Sequence, residues 1–197
     1  MSPKRSLTRA DILPPEQYAR ERGERRRRIA ALKRVRRVEV GPFATFYFEN
    51  YETMWQQVHE MLHIEKGGEE QIADELRAYN PLIPQGSELV ATVMFEIDDE
   101  ARRKTVLARL SGIERHMFLQ VGDERIRGRA DEGRENTRAE DGKASSVQFA
   151  HFPFTAEQKA RFRAPGTQVL VGFDHPNYGH LAVMPEAVRA ALAEDFD

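Results

Sequence analysis

The sequence predicts an α+β fold, in which a mainly antiparallel mixed sheet is flanked by helices and preceded by a basic N-terminal helix. Segments with apolar residues at helical spacing alternate along the chain with short runs of β-branched and aromatic residues. Turn residues typical of β-hairpins occur between some of these runs, so the chain shows no regular βαβ alternation. Residues 1–37 carry 13 Lys/Arg and 4 Asp/Glu, whereas residues 38–197 carry 17 and 28. We therefore expect residues 1–37 to form a basic helical arm packed on the body or on a second subunit, and residues 38–197 to form one α+β domain.

The elements of the first half follow from caps and apolar stripes. A helix is predicted over residues 16–36, because Pro14-Pro15 allows a helix to start there and only a glycine interrupts it. Two short aromatic strands are expected within residues 38–48. Asn50 is a favourable N-cap for the next helix, and a further helix covers about residues 69–79. The stripe of the Asn50 helix recurs at helical spacing through Met54, Val58, Met61 and Leu62.

The second half mixes strands, short helices and turns. Asp98 is the expected cap of a helix over 98–110, and Gly122-Asp123 is the expected turn of a hairpin over 114–130. Residues 131–144 are charged and poor in apolar side chains, which predicts an exposed loop. The other predicted elements are strands over 89–97, 146–154 and 167–173, helices over 155–162 and 185–192, and a loop over Asp174–His180.

Composition excludes several kinds of chemistry. The chain has no cysteine, so disulfides, thiolate metal sites and thiol catalysis are ruled out. No apolar stretch reaches the roughly 18–20 residues that span a bilayer, and no apolar run follows the basic N-terminus as in a signal peptide. We therefore expect a cytoplasmic protein without membrane contact. The phosphate-binding glycine motifs and the Gly-x-Ser-x-Gly elbow of hydrolases are also missing.

Histidine and carboxylate side chains are the available ligands for a transition metal, and one group of them falls on the Asn50 helix. His59 and His63 are four residues apart, so they share a helix face. Glu60 and His63 have the Glu-x-x-His spacing of carboxylate-bridged iron proteins. The alternative is an ordinary solvated helix face, because two histidines at this spacing often arise by chance.

A second group follows an apolar strand, where loops commonly place functional side chains. Asp174 could orient the imidazole of His175, and Tyr178 could supply a phenol for proton transfer. The alternative is a turn in which the aspartate caps the backbone. Glu49, at the end of an aromatic strand, and Glu114 are further candidate metal ligands, since an acid at a strand end can point into a cleft or cap the next helix.

The basic helix has two interpretations. Residues 20–37 hold ten Lys/Arg and two Glu, a pattern that nucleic-acid surfaces share. The aromatic content of this segment is too low for base stacking, and the body carries a net negative charge. A helix that is solvated or docked on the acidic body or a second subunit is therefore favoured, and nucleic-acid binding is the weaker alternative.

Six short segments carry a resemblance to a known family. They are Phe48-Glu49-Asn50, Glu60-Met61-Leu62 with Glu65, Ala78 to Pro84, Gly112-Ile113-Glu114, Ser145 to Phe149, and Asp174 to Tyr178. Together they resemble the bacterial domain of unknown function 3501 family, over nearly the whole chain. The resemblance implies one domain, a bacterial cytoplasmic setting, and genes near those of rubrerythrin-like and iron–sulfur oxidoreductase proteins. His63 and Gln148 depart from the family pattern, where arginine and histidine respectively are common.

These observations lead to two main functional expectations. The first is a redox or oxidative-stress accessory protein, or an oxidoreductase, associated with a metal or haem. Catalysis would rest on His175, Tyr178 and Asp174, and iron, another divalent transition metal or haem would be held by His175, His59, His63, Glu60, Glu49 and Glu114. The second is a non-catalytic binding or assembly module that docks through the basic helix. A homodimer is expected, with a rubrerythrin-like or iron–sulfur oxidoreductase protein as the partner implied by the resemblance.

Overall fold

The computed structural model describes residues 4–130 and 142–197, and in them six helices accompany two antiparallel sheets. The α+β class is confirmed. The helices are α1 (Pro15–Arg34), α2 (Tyr51–Glu65), α3 (Gly68–Tyr79), α4 (Glu100–Ala108), α5 (Ala156–Arg163) and α6 (Glu186–Ala193). The strands are β1 (Arg37–Val40), β2 (Ala44–Phe48), β3 (Glu88–Phe95), β4 (Met117–Val121), β5 (Glu124–Arg127), β6 (Arg129–Ala130), β7 (Val147–Pro153), β8 (Val169–His175) and β9 (Tyr178–Val183).

The strands divide between two sheets, a division that the sequence did not predict. One sheet has the order β1-β2-β3-β7-β6 and the other the order β5-β4-β8-β9. Side chains alternate along β7, so that Gln148, Ala150 and Phe152 are buried on one face. The inner faces of both sheets share one apolar core, in which Phe46 of β2 lies 5.1 Å from Phe173 of β8 between ring centroids.

A smaller core lies on the outer face of the five-stranded sheet. Val90 of β3 packs there against the apolar stripe of α2, represented by Met54 and Val58. Ile72 of α3 and Leu7 from the N-terminal segment complete this second core. The N-terminal segment is therefore packed against α2 and α3.

Helix α1 packs along α2 through a thin apolar stripe. Its buried residues are Tyr18 and Ile29, and the remaining contact is made by charged pairs. Arg22 binds Glu60 at 2.8 Å, and Arg28 binds Glu52 at 2.9 Å. Within the described part of the chain, none of the helices combines the length and the apolar character needed to cross a membrane.

Most element predictions are confirmed to within two or three residues, and three of them need correction. Asp99, rather than Asp98, caps α4, since its carboxylate accepts from the backbone N–H of Arg102. The strand expected from residue 114 begins only at Met117, after a single 3₁₀ turn. The loop expected over Asp174–His180 is wrong, because β8 and β9 form a hairpin there. The loop predicted over residues 131–144 falls mostly outside the described residues.

Candidate functional site

A half-enclosed cavity of about 660 Å³ lies between the N-terminal segment and helices α1, α2 and α3. We call it the N-terminal pocket. Its walls are mainly apolar, and its volume falls in the range of small-molecule sites. Its lining residues are Arg9, Ile12, Leu13, Pro14, Pro15, Glu16, Tyr18, Ala19, His59, Leu62, His63, Lys66, Gly68, Glu69 and Ile72.

His59 holds the N-terminal wall of the pocket against α2. Its Nδ1 lies 2.7 Å from the carbonyl oxygen of Trp55, and its Nε2 accepts the backbone N–H of Leu13 at 3.0 Å. The carbonyl partner requires a proton on Nδ1, which leaves Nε2 as the acceptor. Burial lowers the pKa of His59, opposed by the hydrogen bond to Trp55, so the imidazole is neutral at pH 7. Both ring nitrogens are used, and His59 has no lone pair left for a metal.

His63 differs from His59 in this respect. Its ring lies 5.9 Å from that of Tyr18, measured between centroids, and it makes no hydrogen bond to another described residue. Lys66, the C-cap residue of α2, follows it by three residues and lines the same pocket. Two potential hydrogen-bond donors therefore line the same end of an apolar pocket.

Glu60 is committed to holding α1 on α2. Its carboxylate accepts from the Tyr18 hydroxyl at 2.6 Å and from the Arg22 guanidinium at 2.9 and 2.8 Å. Arg22, followed by Tyr18, keeps the pKa of Glu60 below its ordinary value although burial opposes this. Burial and the neighbouring Glu60 raise the pKa of Tyr18. Glu60 therefore belongs to an ion-pair network between α1 and α2, whereas His63 lines the pocket, and the two do not act as the predicted metal-binding pair.

Asp174 and His175 are the last residues of β8, and Tyr178 is the first of β9. His175 Nδ1 accepts the backbone N–H of Asn177 at 3.2 Å, and Nε2 lies 3.2 Å from the carbonyl oxygen of Ser111. Its two ring nitrogens thus brace the two-residue turn of the hairpin and the segment before β4. The imidazole has no free nitrogen in this arrangement.

The hydroxyl of Tyr178 is hydrogen-bonded on all sides to backbone. It accepts from the N–H groups of Phe43 and Ala44, both at 3.0 Å, and donates to the carbonyl oxygen of Val40 at 2.8 Å. Burial raises the pKa of the phenol. This side chain ties β9 to the β1–β2 turn, where Gly41 has a φ of +69° and a Cβ would lie 2.9 Å from the hydroxyl.

Asp174 is the centre of an ion-pair cluster. Its carboxylate lies 2.5 Å from Arg127, 3.2 Å from Arg125 and 3.0 Å from His116 Nδ1. The Arg127 guanidinium, aided by His116, lowers the pKa of Asp174 to about 2 even though burial opposes it. The aspartate therefore joins β5 to the end of β8 and does not orient the His175 ring.

The candidate metal ligands are dispersed over the fold. Glu49 follows β2 directly and lines a separate groove, Glu114 is buried in the 3₁₀ turn before β4, and His175 is in the β8–β9 hairpin. In residues 4–130 and 142–197 no three or more His, Asp or Glu side chains are grouped so that they could hold a metal ion. The described residues do not fit a transition-metal site, and the redox function implied by the resemblance stays a prediction.

The sequence interpretation missed the N-terminal half of the pocket. Leu13 and Pro14, which follow the 3₁₀ turn at Arg9–Asp11, supply one wall of the pocket. The available signal was Ile12-Leu13-Pro14-Pro15, an apolar run within an otherwise charged arm. Its partner, His59, is 46 residues away in the chain, a pairing that local patterns do not reveal.

Comparison with known proteins gives a family and a fold. A family model described as a protein of unknown function (DUF3501) matches residues 6–196. The crystal structure of a novel protein of unknown function from Burkholderia pseudomallei K96243, at 1.90 Å resolution, is 41% identical with a TM-score of 0.90. The match covers 98% of this chain and 100% of that one. No curated protein matches the chain. The chain therefore belongs to the DUF3501 family, as its sequence motifs predicted.

Proposed function

We propose that this protein binds an apolar small molecule with an anionic head group in the N-terminal pocket. The observation that carries the proposal is the side chain of His63, an imidazole without a hydrogen bond to any described residue in the wall of an apolar cavity. A ligand in the pocket would bury this partly exposed imidazole, and a buried polar group needs a hydrogen-bond partner. A ligand group that accepts a hydrogen bond satisfies it.

The apolar part of the ligand is argued from the pocket walls. Side chains from four separate segments supply them, and the cavity has about 660 Å³ of space. Sites of this size with few polar groups are typical of drug-sized ligands. Each methylene buried contributes about 0.8 kcal/mol, so a chain or ring system of eight to ten carbons would supply most of the binding energy. The apolar walls are formed by Ile12, Leu13, Pro14, Pro15, Ala19, Leu62 and Ile72.

The anionic head is argued from the charges that are not already paired. The charges of Arg9 and Glu69 are paired with each other at 2.5 Å. Both ring nitrogens of His59 are already hydrogen-bonded within the protein. His63 and Lys66 remain as donors at one end, and Glu16 is an acid in the lining without an ion pair in the described residues. Two donors against a single unpaired acid in the lining favour a carboxylate or a similar anion as the ligand head group.

A titration with three ten-carbon probes tests the proposal. Decanoate, decanol and decylamine have the same apolar chain and differ in the charge of the head group. Trp55, the single tryptophan, stacks on His59 at 3.7 Å between centroids, so its fluorescence reports on the pocket. We expect decanoate to bind at least tenfold more tightly than decanol, and decylamine to bind most weakly.

The matched variants are His63→Leu and His180→Leu. His180 also makes no hydrogen bond to another described residue, and it lies on β9 outside the pocket. We expect His63→Leu to remove the preference for decanoate over decanol and His180→Leu to preserve it. Unchanged decanoate affinity in His63→Leu, or tighter binding of decylamine, would contradict the anionic head group.

A further inference from the structure

A second cavity of about 440 Å³ opens on the outer face of the five-stranded sheet, beside the start of α2 and the end of α1. We call it the sheet groove. It shares no lining residue with the N-terminal pocket. Its lining residues are Lys33, Tyr47, Glu49, Met54, Gln57, Tyr79, Leu82, Thr92, Met94, Val147 and Phe149.

Glu49 places a buried carboxylate in this groove. The residue is only 5% exposed, and its Oε1 accepts from the Thr92 hydroxyl at 2.8 Å. Its Oε2 is buried and has no hydrogen-bond partner among the described residues. Burying a carboxylate oxygen without a donor is costly, so its partner is expected to come from outside the described contacts.

Lys33 supplies the opposite charge. It lies in the last turn of α1, half-buried, and lines the groove without forming an ion pair with Glu49 or with another described residue. The other polar side chains are already engaged. Tyr47 donates to Glu96 at 2.8 Å, and Gln57 donates to the Tyr79 hydroxyl at 3.4 Å.

The rest of the groove is lined by apolar side chains. Met54, Leu82, Met94 and Phe149 surround the two charges. Methionine side chains adapt to ligands of different shape. A ligand that satisfies the groove thus needs a cationic donor, an anionic acceptor and a small apolar body.

We propose that the sheet groove binds a free amino acid with an apolar side chain. The ammonium group of the ligand donates to Oε2 of Glu49, the carboxylate accepts from Lys33, and the side chain contacts Met54 and Met94. Charge-assisted hydrogen bonds at both ends give the specificity. The volume of the groove accommodates leucine, methionine or phenylalanine.

Isothermal titration with leucine tests the proposal on the full chain. Isoamylamine and isovalerate serve as comparison probes, since each retains only one of the two charged groups of leucine. We expect leucine to bind at least tenfold more tightly than either probe. Equal affinities for the three compounds, or no leucine binding at millimolar concentration, would overturn the assignment.

Variants of Glu49 and Lys33 distinguish leucine binding by both residues from a direct ion pair between them. Glu49→Gln retains the shape and the Thr92 contact, and Lys33→Met retains the aliphatic stem. Each is expected to weaken leucine binding at least tenfold, whereas the exposed neighbours in Glu39→Gln and Arg34→Gln leave it unchanged. If Lys33 instead folds over to pair with Glu49, leucine does not bind and the two substitutions are coupled in unfolding measurements, which overturns the proposal.

Methyl NMR supplies a readout that does not depend on either charged variant. Leucine is expected to shift the methyl resonances of Met54 and Met94, which line the groove, and to leave Met117 and Met184 in the central core unchanged. Shifts confined to the core methionines, or shifts in none of the four, would count against the groove as the leucine site.

Discussion

The rings of Trp55 and His59 stack with their centroids 3.7 Å apart and an angle of 30° between their planes. His59 Nδ1 also bonds the carbonyl oxygen of Trp55, and its Nε2 accepts the backbone N–H of Leu13. One neutral imidazole thus joins α2 to the N-terminal segment that encloses the pocket. Protonation of His59 would remove the acceptor for Leu13, so pH controls this connection.

We expect the stability of the protein to fall as the pH is lowered from about 7 towards 5. Burial lowers the pKa of His59 in the folded state, whereas the unfolded imidazole has a pKa near 6.5. The unfolded state therefore binds the proton first, and the free energy of unfolding is lost progressively as the pH falls below about 6.5. Urea unfolding at half-unit pH intervals measures the effect.

His59→Phe is the matched variant for this pH dependence. Phenylalanine retains the stack on Trp55 but cannot titrate, and it leaves the Leu13 N–H without its acceptor. The variant should be less stable at pH 7 by about 1–3 kcal/mol and should show a flatter dependence between pH 7 and 5. A wild-type and variant pair with parallel pH profiles would show that His59 does not carry the effect.

Tyr178→Phe is expected to destabilise the protein by about 3 kcal/mol. The substitution leaves the N–H groups of Phe43 and Ala44 and the carbonyl of Val40 without their shared partner, and each buried unsatisfied group costs about 1–3 kcal/mol. Denaturant unfolding of the two proteins measures the difference. The sequence suggested a proton-transfer role for this phenol. A loss below about 0.5 kcal/mol would contradict the structural role that its backbone hydrogen bonds indicate.

Asp174→Asn should cost about 1 kcal/mol at pH 7. The carboxylate pairs with Arg127 and Arg125 but is 29% exposed, so solvent screening reduces the gain. Its folded pKa is about 2, below the ordinary value of 3.8, so the contribution is complete above about pH 4 and is lost as the pH falls through 2. Urea unfolding at pH 7 and pH 3 should therefore show a smaller difference between wild type and variant at pH 3. A constant difference would exclude an ionic origin.

The helices were predicted well because N-cap residues and apolar stripes depend only on residues close together in the sequence. Asn50 was predicted as a cap, and its Oδ1 accepts the N–H of Thr53 at 3.0 Å. The β8–β9 hairpin was missed because Pro176-Asn177 has the composition of a loop, although the alternating burial of Tyr178–Val183 is a strand pattern.

The candidate site was predicted only in part, because its contacts join distant segments. His59 and His63 were correctly placed on one helix, yet their different roles depend on Leu13 and Tyr18, more than forty residues earlier in the chain. Glu49 was expected to point into a cleft or cap a helix, and it lies in the sheet groove. Dimer formation and the predicted redox partner stay predictions.

The measurement that tests the pocket most directly is the affinity for decanoate by isothermal titration in wild type, Ala19→Trp and Ala30→Trp. Ala19 lines the pocket from α1, whereas Ala30 is exposed on the same helix outside it. We predict that the indole at position 19 fills the cavity and weakens binding by at least tenfold, while the indole at position 30 changes the affinity less than twofold. Equal affinities in all three proteins would contradict a ligand in the N-terminal pocket.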